Sequence, residues 1–351
     1  MKDRFIILFV TLLAFLMVGC AETPQTGPTR ALVTLTMLPS ATPFPPQTFT
    51  PTISPTETQT PTPTATETPV PTETPTTTPT SVPVTLIGAG DISYCGPDWI
   101  GDENTAEVLA RLIEQHPNAA IFTAGDNSQG EGTRAEYRNC FDPSWGRFKD
   151  RIRPAPGNHD YVTEGAAPYY EYFGAAAGEP GKGYYSYDLG DWHIVVLNSN
   201  CNYVACRNDS QQVAWLREDL ANSDKKCTLM YWHHPLFTSG PSGNYGAARS
   251  FWQAGEDFGV EIVVNGHDHQ YERFAPQDHG GNATPEGIRQ FIVGTGGAYH
   301  RDWGEVQPNS EVRDNRTHGV INFTLYSDRY EWEFVPVAGS TFTDSGSTEC
   351  H

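Results

Sequence analysis

The stretch "GVEIVVNGHDHQYER", Gly259 to Arg273, carries the reading on which the fold turns. Its first half is a short, mostly apolar run rich in β-branched residues, which reads as a strand buried in a sheet. Its second half sets His267 and His269 one residue apart, with Asp268 between them. On an extended backbone alternate residues point to the same side, so both imidazoles are expected to face one small object at the end of the strand. A metal ion is the obvious such object. Two incidental histidines on a solvated strand end are the plain alternative, and the remainder of the chain has to decide between them.

Outward from this stretch the same punctuation recurs. "VTLIGAGD" (Val84 to Asp91) and "AAIFTAGD" (Ala119 to Asp126) read as buried strands that end in a carboxylate. "RPAPGNHD" carries Asn158 and His159, and "CTLMYWHHP", which follows the strand-like "DWHIVVLNS" (Asp191 to Ser199), runs into His233 and His234. Between them lie amphipathic helices. "NTAEVLARLIEQH" (Asn104 to His116) puts Val108, Leu109, Leu112 and Ile113 on one face, and "SQQVAWLREDLANS" (Ser210 to Ser223) repeats the pattern. Further strands are expected in "IRQFIVGTGG", "GVINFTLYSD" and "RYEWEFVPV". Strands alternating with helices, followed by a mainly strand C-terminal part, predict an α/β (α+β) sandwich of mixed β-sheets.

Every chemically active residue in this series stands at a strand end, where ligand sites of α/β sheets lie. Asp after Gly, and Asn-His, are common turn and loop dipeptides, so each alone says little. Together Asp91, Asp126, Asn158, His159, His233, His267 and His269 form an oxygen and imidazole donor set without thiolates. Such donors suit Fe, Mn or Zn, and a shared carboxylate holds two such ions about 3.5–4 Å apart, an arrangement used for phosphoryl chemistry. Same-side residues on an extended chain are about 6–7 Å apart, so one of the two histidines would serve each ion.

The ordered set "GD", "GDN", "GNHD", "HHP", "GHDH" resembles the calcineurin-like metallophosphoesterase superfamily, from about Leu86 to Ala298. The "GHDHQYER" ending, and Ser93 where other branches carry a histidine, make it similar to the purple acid phosphatases; "PAPGNHDY" and "YWHHPLF" also look like bacterial secreted phosphoesterases. The resemblance implies a four-layer αββα sandwich of two mixed β-sheets and a cofactor of two metal ions. It implies Asp91, Asp126 and His269 as ligands of the first metal, with Asp126, Asn158, His233 and His267 as ligands of the second. Asp126 is then the bridge, and His159 contacts the phosphoryl oxygens or protonates the leaving group. His234 adjoins a ligand and is equally readable as structural. One departure is plain: Gln129 stands where purple acid phosphatases carry a metal-bound tyrosine, and Gln129, Ser93, Tyr94 or water are the candidates to complete the first site.

The implied activity is hydrolysis of a small phosphate ester by metal-bridged hydroxide attack, phosphomonoesters first, phosphodiesters or nucleotides next. A metal- or ligand-binding surface lipoprotein without turnover is the rival, and the missing tyrosine is its best support. The walls of the pocket are expected from the loops around Thr163 to Gly178 and Thr238 to Ala247.

Composition sets the surroundings. Residues 22–83 hold 22 Thr and 15 Pro, too little apolar surface for a core, so residues 21–83 read as a disordered linker. "MKDRFIILFVTLLAFLMVGC" has the charged and apolar regions of an export signal over residues 1–20, and "LMVGC" resembles a lipobox that would lipidate Cys20. The expected protein is therefore an exported monomer anchored to a membrane through Cys20, with residues 84–351 as its catalytic domain. Six further cysteines (Cys95, Cys140, Cys201, Cys206, Cys227, Cys350) are expected to form disulfides; sequence alone fixes no pairing, and Cys201 with Cys206 is the easiest to close. The domain has 19 Lys and Arg against 37 Asp and Glu, a charge that argues against nucleic-acid binding. It would also repel a phosphate ester unless cations invert the field at the site.

Overall fold

A computed structural model describes residues Val82–His351. The readings of an export signal over residues 1–20 and of a linker over 21–83 fall, except for its last two residues, outside the described residues.

Thirteen strands among the described residues form two mixed sheets. The first contains β1 (Val84–Ala89), β2 (Ala120–Ala124), β3 (Ile152–Ala155), β11 (Gly319–Leu325), β12 (Arg329–Pro336) and β13 (Ser345–Glu349), in the order β13-β12-β11-β1-β2-β3. The second contains β4 (Tyr185–Leu189), β5 (Trp192–Val196), β6 (Cys227–Tyr231), β7 (Ile262–Asn265), β8 (Tyr271–Phe274), β9 (Arg289–Val293) and β10 (Ser310–Asp314), in the order β10-β8-β9-β7-β6-β5-β4. Each sheet has a parallel part: β1-β2-β3 forms one end of the first, with antiparallel strands beyond β1 only, and β5-β6-β7-β9 forms the centre of the second, with antiparallel strands on both sides. The α-helices are α1 (Gly101–Gln115), α2 (Arg134–Glu136), α3 (Ala167–Phe173), α4 (Gln211–Asn222) and α5 (Arg249–Asp257).

The apolar alternation along the strands builds the layers. Leu86 of β1 and Phe122 of β2 face inward, where they meet Ile194, Leu229, Val264 and Phe291 of the other sheet. Their neighbours Ile87 and Ile121 face outward onto Leu109 and Leu112 of α1, Trp145, and Tyr169 of α3. On the far side Val195, Met230 and Val263 pack against Val213 and Leu216 of α4 and Trp252 of α5. Three apolar layers between helix, sheet, sheet and helix make the four-layer αββα sandwich. Strands buried on both faces explain the continuous apolar runs of the sequence.

Helix α4 begins where its cap requires it, since Ser210 Oγ accepts the Val213 N–H at 3.2 Å. Helix α1 starts three residues before the expected Asn104. The segment from Thr163 to Gly178, expected to be a loop wall, is largely helical and buries Tyr169 and Phe173 in the outer core. The six cysteines pair as Cys95–Cys140, Cys201–Cys206 and Cys227–Cys350. The last of these fastens the start of β6 to the residue after β13, joining the two sheets.

Candidate metal centre

Five chain segments deliver the site, each leaving the carboxyl end of a parallel strand. Asp91 follows β1, Asp126 follows β2, Asn158 and His159 follow β3, His233 and His234 follow β6, and His267 and His269 follow β7. The two sheets meet here through backbone hydrogen bonds, among them Gly90 N to Val293 O at 2.9 Å and Ala298 N to Asp91 O at 2.9 Å. Asp91, Asp126 and His267 have positive φ angles of 57°, 49° and 72°. Such backbone costs on the order of 1–3 kcal/mol for a residue other than glycine, and here it turns three functional side chains back into one cleft. The glycines of the motifs have a steric reason. A methyl group at Gly157 would land on the Asp126 carboxylate, and one at Gly125 (φ 84°) would meet the His233 ring.

The positive φ of His267 corrects one sequence reading. Strand β7 ends at Asn265, so His267 and His269 are not successive same-side residues of an extended strand. A left-handed turn, held by the His267 N–H donating to Asp91 Oδ2 at 2.7 Å, separates their directions instead. His269 Nε2 lies 3.4 Å from Asp91 Oδ1, whereas His267 Nδ1 lies 3.2 Å from His233 Nε2.

Both carboxylates are withdrawn from water, Asp91 at 0 % and Asp126 at 1 % exposure. Asp126 Oδ1 accepts the His159 N–H at 2.8 Å, and its Oδ2 lies 3.2 Å from His233 Nε2. Asn158 Oδ1 sits 3.0 Å from the same His233 Nε2. The ring orientations are set by main-chain carbonyls: Nδ1 of His233 donates to Ala124 O (2.8 Å), that of His269 to Tyr299 O (2.6 Å) and that of His159 to Gly130 O (2.7 Å). A carbonyl only accepts, so in the neutral rings it fixes the proton on Nδ1 and leaves the Nε2 lone pair for the cleft. Sequence reasoning missed these carbonyls, because a backbone oxygen carries no residue signature.

The charges of the cleft depend on one another. Burial pushes the Asp126 carboxyl up, but the charge of His233 and its hydrogen bond, with His159 and His267 beyond, hold it well below the ordinary range. Burial likewise opposes ionisation of Asp91, and His269 overcomes it. Burial lowers His233 and Asp126 more than reverses this, raising it to about 9. Burial and the neighbouring His233 push His267 down to about 4 and His234 well below its ordinary value. Among the described residues no Lys or Arg forms an ion pair with Asp91 or Asp126. Two carboxylates this deep in the protein stay ionised only beside positive charge, which here comes from the imidazoles, His233 above all, and which a metal cation would supply in exchange for the His233 proton.

The donor set fits that group. One oxygen or nitrogen atom from each of Asp91, Asp126 and His233 lies within 4.8 Å of the others, as does one nitrogen from each of His233, His234 and His267. His269 Nε2 and Gln129 Oε1 are buried polar atoms with no hydrogen-bond partner. Gln129 Nε2 donates to Asp91 Oδ1 at 3.1 Å and Asp126 Oδ2 at 3.3 Å, so Gln129 occupies the Asp91 end of the cleft. Ser93 Oγ is turned to Asn127 O, and the Tyr94 ring packs on Trp99 and Tyr299.

Residues 85–271 match the family model of the calcineurin-like phosphoesterases. Purple acid phosphatase 15 of Arabidopsis thaliana is 27% identical over 232 residues, 55% of this chain and 42% of that protein. Purple acid phosphatase 23 of the same plant is 28% identical over 241 residues, 57% of this chain and 52% of that protein. The solved structure of a purple acid phosphatase from yellow lupin (Lupinus luteus) seeds superposes with a TM-score of 0.65 at 19% identity, covering 76% of this chain and 54% of that one. The chain thus spans about half the length of these relatives.

Proposed function

The chain belongs to the calcineurin-like phosphoesterase family, and on that premise we propose that it hydrolyses small phosphate esters, phosphomonoesters first, at a centre of two metal ions. One observation carries the reading. Two carboxylates from different strands, buried and without a Lys or Arg partner among the described residues, face histidines whose Nδ1 protons are already committed to carbonyls.

Asp91, Asp126 and His269 would hold one ion, and Asp126, Asn158, His233 and His267 the other, with Gln129 beside the first. When bound, the pair supplies charge neutralisation for the phosphate and an acidic water as nucleophile. The residues of the chain do the rest. Asp126 keeps its charge in the buried cleft and orients His159 by accepting its backbone N–H. His159, 28 % exposed and tied through Nδ1 to Gly130 O, turns Nε2 to the cleft 4.0 Å from Asp126 Oδ2. There it is suited to hold a proton against a phosphoryl oxygen or the leaving group. The strained turns at Asp91, Asp126 and His267 fix these groups before substrate arrives.

The setting in the cell belongs to the same proposal. Three disulfides suit an oxidising compartment, and no helix among the described residues is long and apolar enough to cross a membrane. The export signal, a lipidated Cys20 and the Thr/Pro tether would hold a monomeric catalytic domain, residues 84–351, away from a membrane surface. Turnover tests the central reading: metal-loaded protein should release para-nitrophenol from para-nitrophenyl phosphate faster than from its bis ester. Faster cleavage of the bis ester would make the chain a phosphodiesterase, and cleavage of neither would favour a binding protein.

A further inference from the structure

His234 sits among the histidines of the cleft but is neither a ligand in the metal scheme nor, like His159, a proton holder, yet its surroundings are as ordered as theirs. Its ring packs 4.9 Å from that of His233 and 4.4 Å from that of His267, centre to centre, and stacks on Tyr245 at 4.6 Å and 27°. Its Nδ1 lies 2.8 Å from Ser199 Oγ, and Ser199 Oγ also accepts the backbone N–H of His234 itself at 3.0 Å.

The contrast with its neighbours is chemical. His159, His233 and His269 each place Nδ1 on a carbonyl, which accepts only, whereas His234 places it on a hydroxyl, which also donates. The Ser199 proton has no other acceptor among the described residues, so it goes to Nδ1. That leaves His234 protonated on Nε2, a donor where a metal ligand needs a lone pair. Nε2 has no hydrogen-bond partner among the described residues. The loop that carries Tyr245 is itself pinned to the ligand-bearing turn, through Thr238 Oγ1 donating to Asp268 Oδ2 at 2.5 Å.

Resting on the phosphoesterase reading above, we propose that His234 is a substrate contact. Its Nε2–H donates to an oxygen of the phosphoryl group on the His233 and His267 side of the cleft, with Ser199 fixing the tautomer and Tyr245 the ring plane. It is not a further metal ligand. A donor of this kind acts on bound phosphate as well as on the reacting ester, so its effect is visible without turnover.

The test compares wild type, His234→Ala, His234→Gln and Ser199→Ala, each checked for folding by its thermal transition. Bound metal per chain is measured by elemental analysis, and binding of inorganic phosphate to the metal-loaded protein by calorimetry. His234→Ala should keep the wild-type metal content and bind phosphate about tenfold more weakly, one hydrogen bond to an anion being lost. His234→Gln, whose amide N–H reaches a similar place, should recover part of that loss, and Ser199→Ala should show a smaller one. Loss of a metal equivalent from both His234 variants would make the residue a ligand and overturn the proposal. Unchanged phosphate binding in His234→Ala would make it structural and overturn it equally. If wild type binds metal and phosphate but turns over no ester, the hydrolytic reading fails, while a tenfold weaker phosphate site in His234→Ala still supports the contact.

Discussion

Gln129 is the residue at which this chain parts from the purple acid phosphatases it resembles. They carry there a tyrosine whose tyrosinate, bound to ferric iron, gives a visible charge-transfer band and favours the ferric state. Here the position is legible in "GDNSQ", and the side chain does reach both Asp91 and Asp126. A neutral amide donates little charge, so the first site should prefer divalent metal and hold it less tightly than a tyrosinate site. Iron-loaded protein should therefore lack the purple band, and Gln129→Tyr should gain visible absorption. A coloured wild type would mean that another tyrosine supplies the ligand. That the candidate donors would come together was open to sequence reading because such side chains recur in a fixed order at strand ends. The tautomer-setting carbonyls of Ala124, Gly130 and Tyr299 were not, because any residue provides one.

Among the elements, four of the five parallel strands that lead into the candidate site, β1, β2, β6 and β7, were legible, since burial on both faces writes an unbroken apolar run; β3, whose four residues include Arg153 and Pro154, was not. The edge elements were not. Strands β10 and β13 alternate half-buried with exposed positions, β4 is half-buried at all but Asp188, and all three contain Asp, Glu, Ser or Gly, so their place depends on a neighbour in space. The turn at His267 was also hidden, because positive φ in a residue other than glycine has no sequence mark. Helix α1 offers a separate test. Its first turn buries Asp102, which accepts a hydrogen bond from Ser144 Oγ at 2.6 Å. Burial outweighs that bond and raises the carboxyl to about 7. The folded state thus keeps a proton that the unfolded chain releases near its ordinary value of 3.8, so this group's contribution to stability falls as pH rises from about 4 to about 7. Asp102→Asn removes the penalty. Its stability relative to wild type should grow between pH 4 and pH 8, by at most about 4 kcal/mol, as read from paired thermal melts. An offset independent of pH would show that Asp102 is ionised throughout.

On the scale of the whole molecule, the sandwich places the candidate site where the parallel strands of the two sheets abut. The ligands of the proposed pair come from both sheets: Asp91, Asp126 and Asn158 from the first, His233, His267 and His269 from the second. The centre therefore exists only when the sheets are packed. The pairing of β11 with β1, which sets Val84 opposite Leu325 and Gly88 opposite Ile321, and the Cys227–Cys350 link could not be read from local pattern, since both are long-range contacts. The same architecture makes Asp126 the point where both halves meet, and removing its charge should disable the centre without disturbing the packed layers. The decisive measurement is the rate of para-nitrophenyl phosphate hydrolysis as metal is titrated into metal-stripped protein, run in parallel on Asp126→Asn. The wild-type rate should rise until two ions per chain are bound and then level off, with Asp126→Asn at least about 10²-fold slower at every point. A wild-type rate independent of metal, or an Asp126→Asn variant as fast as wild type, would contradict the two-metal phosphoesterase.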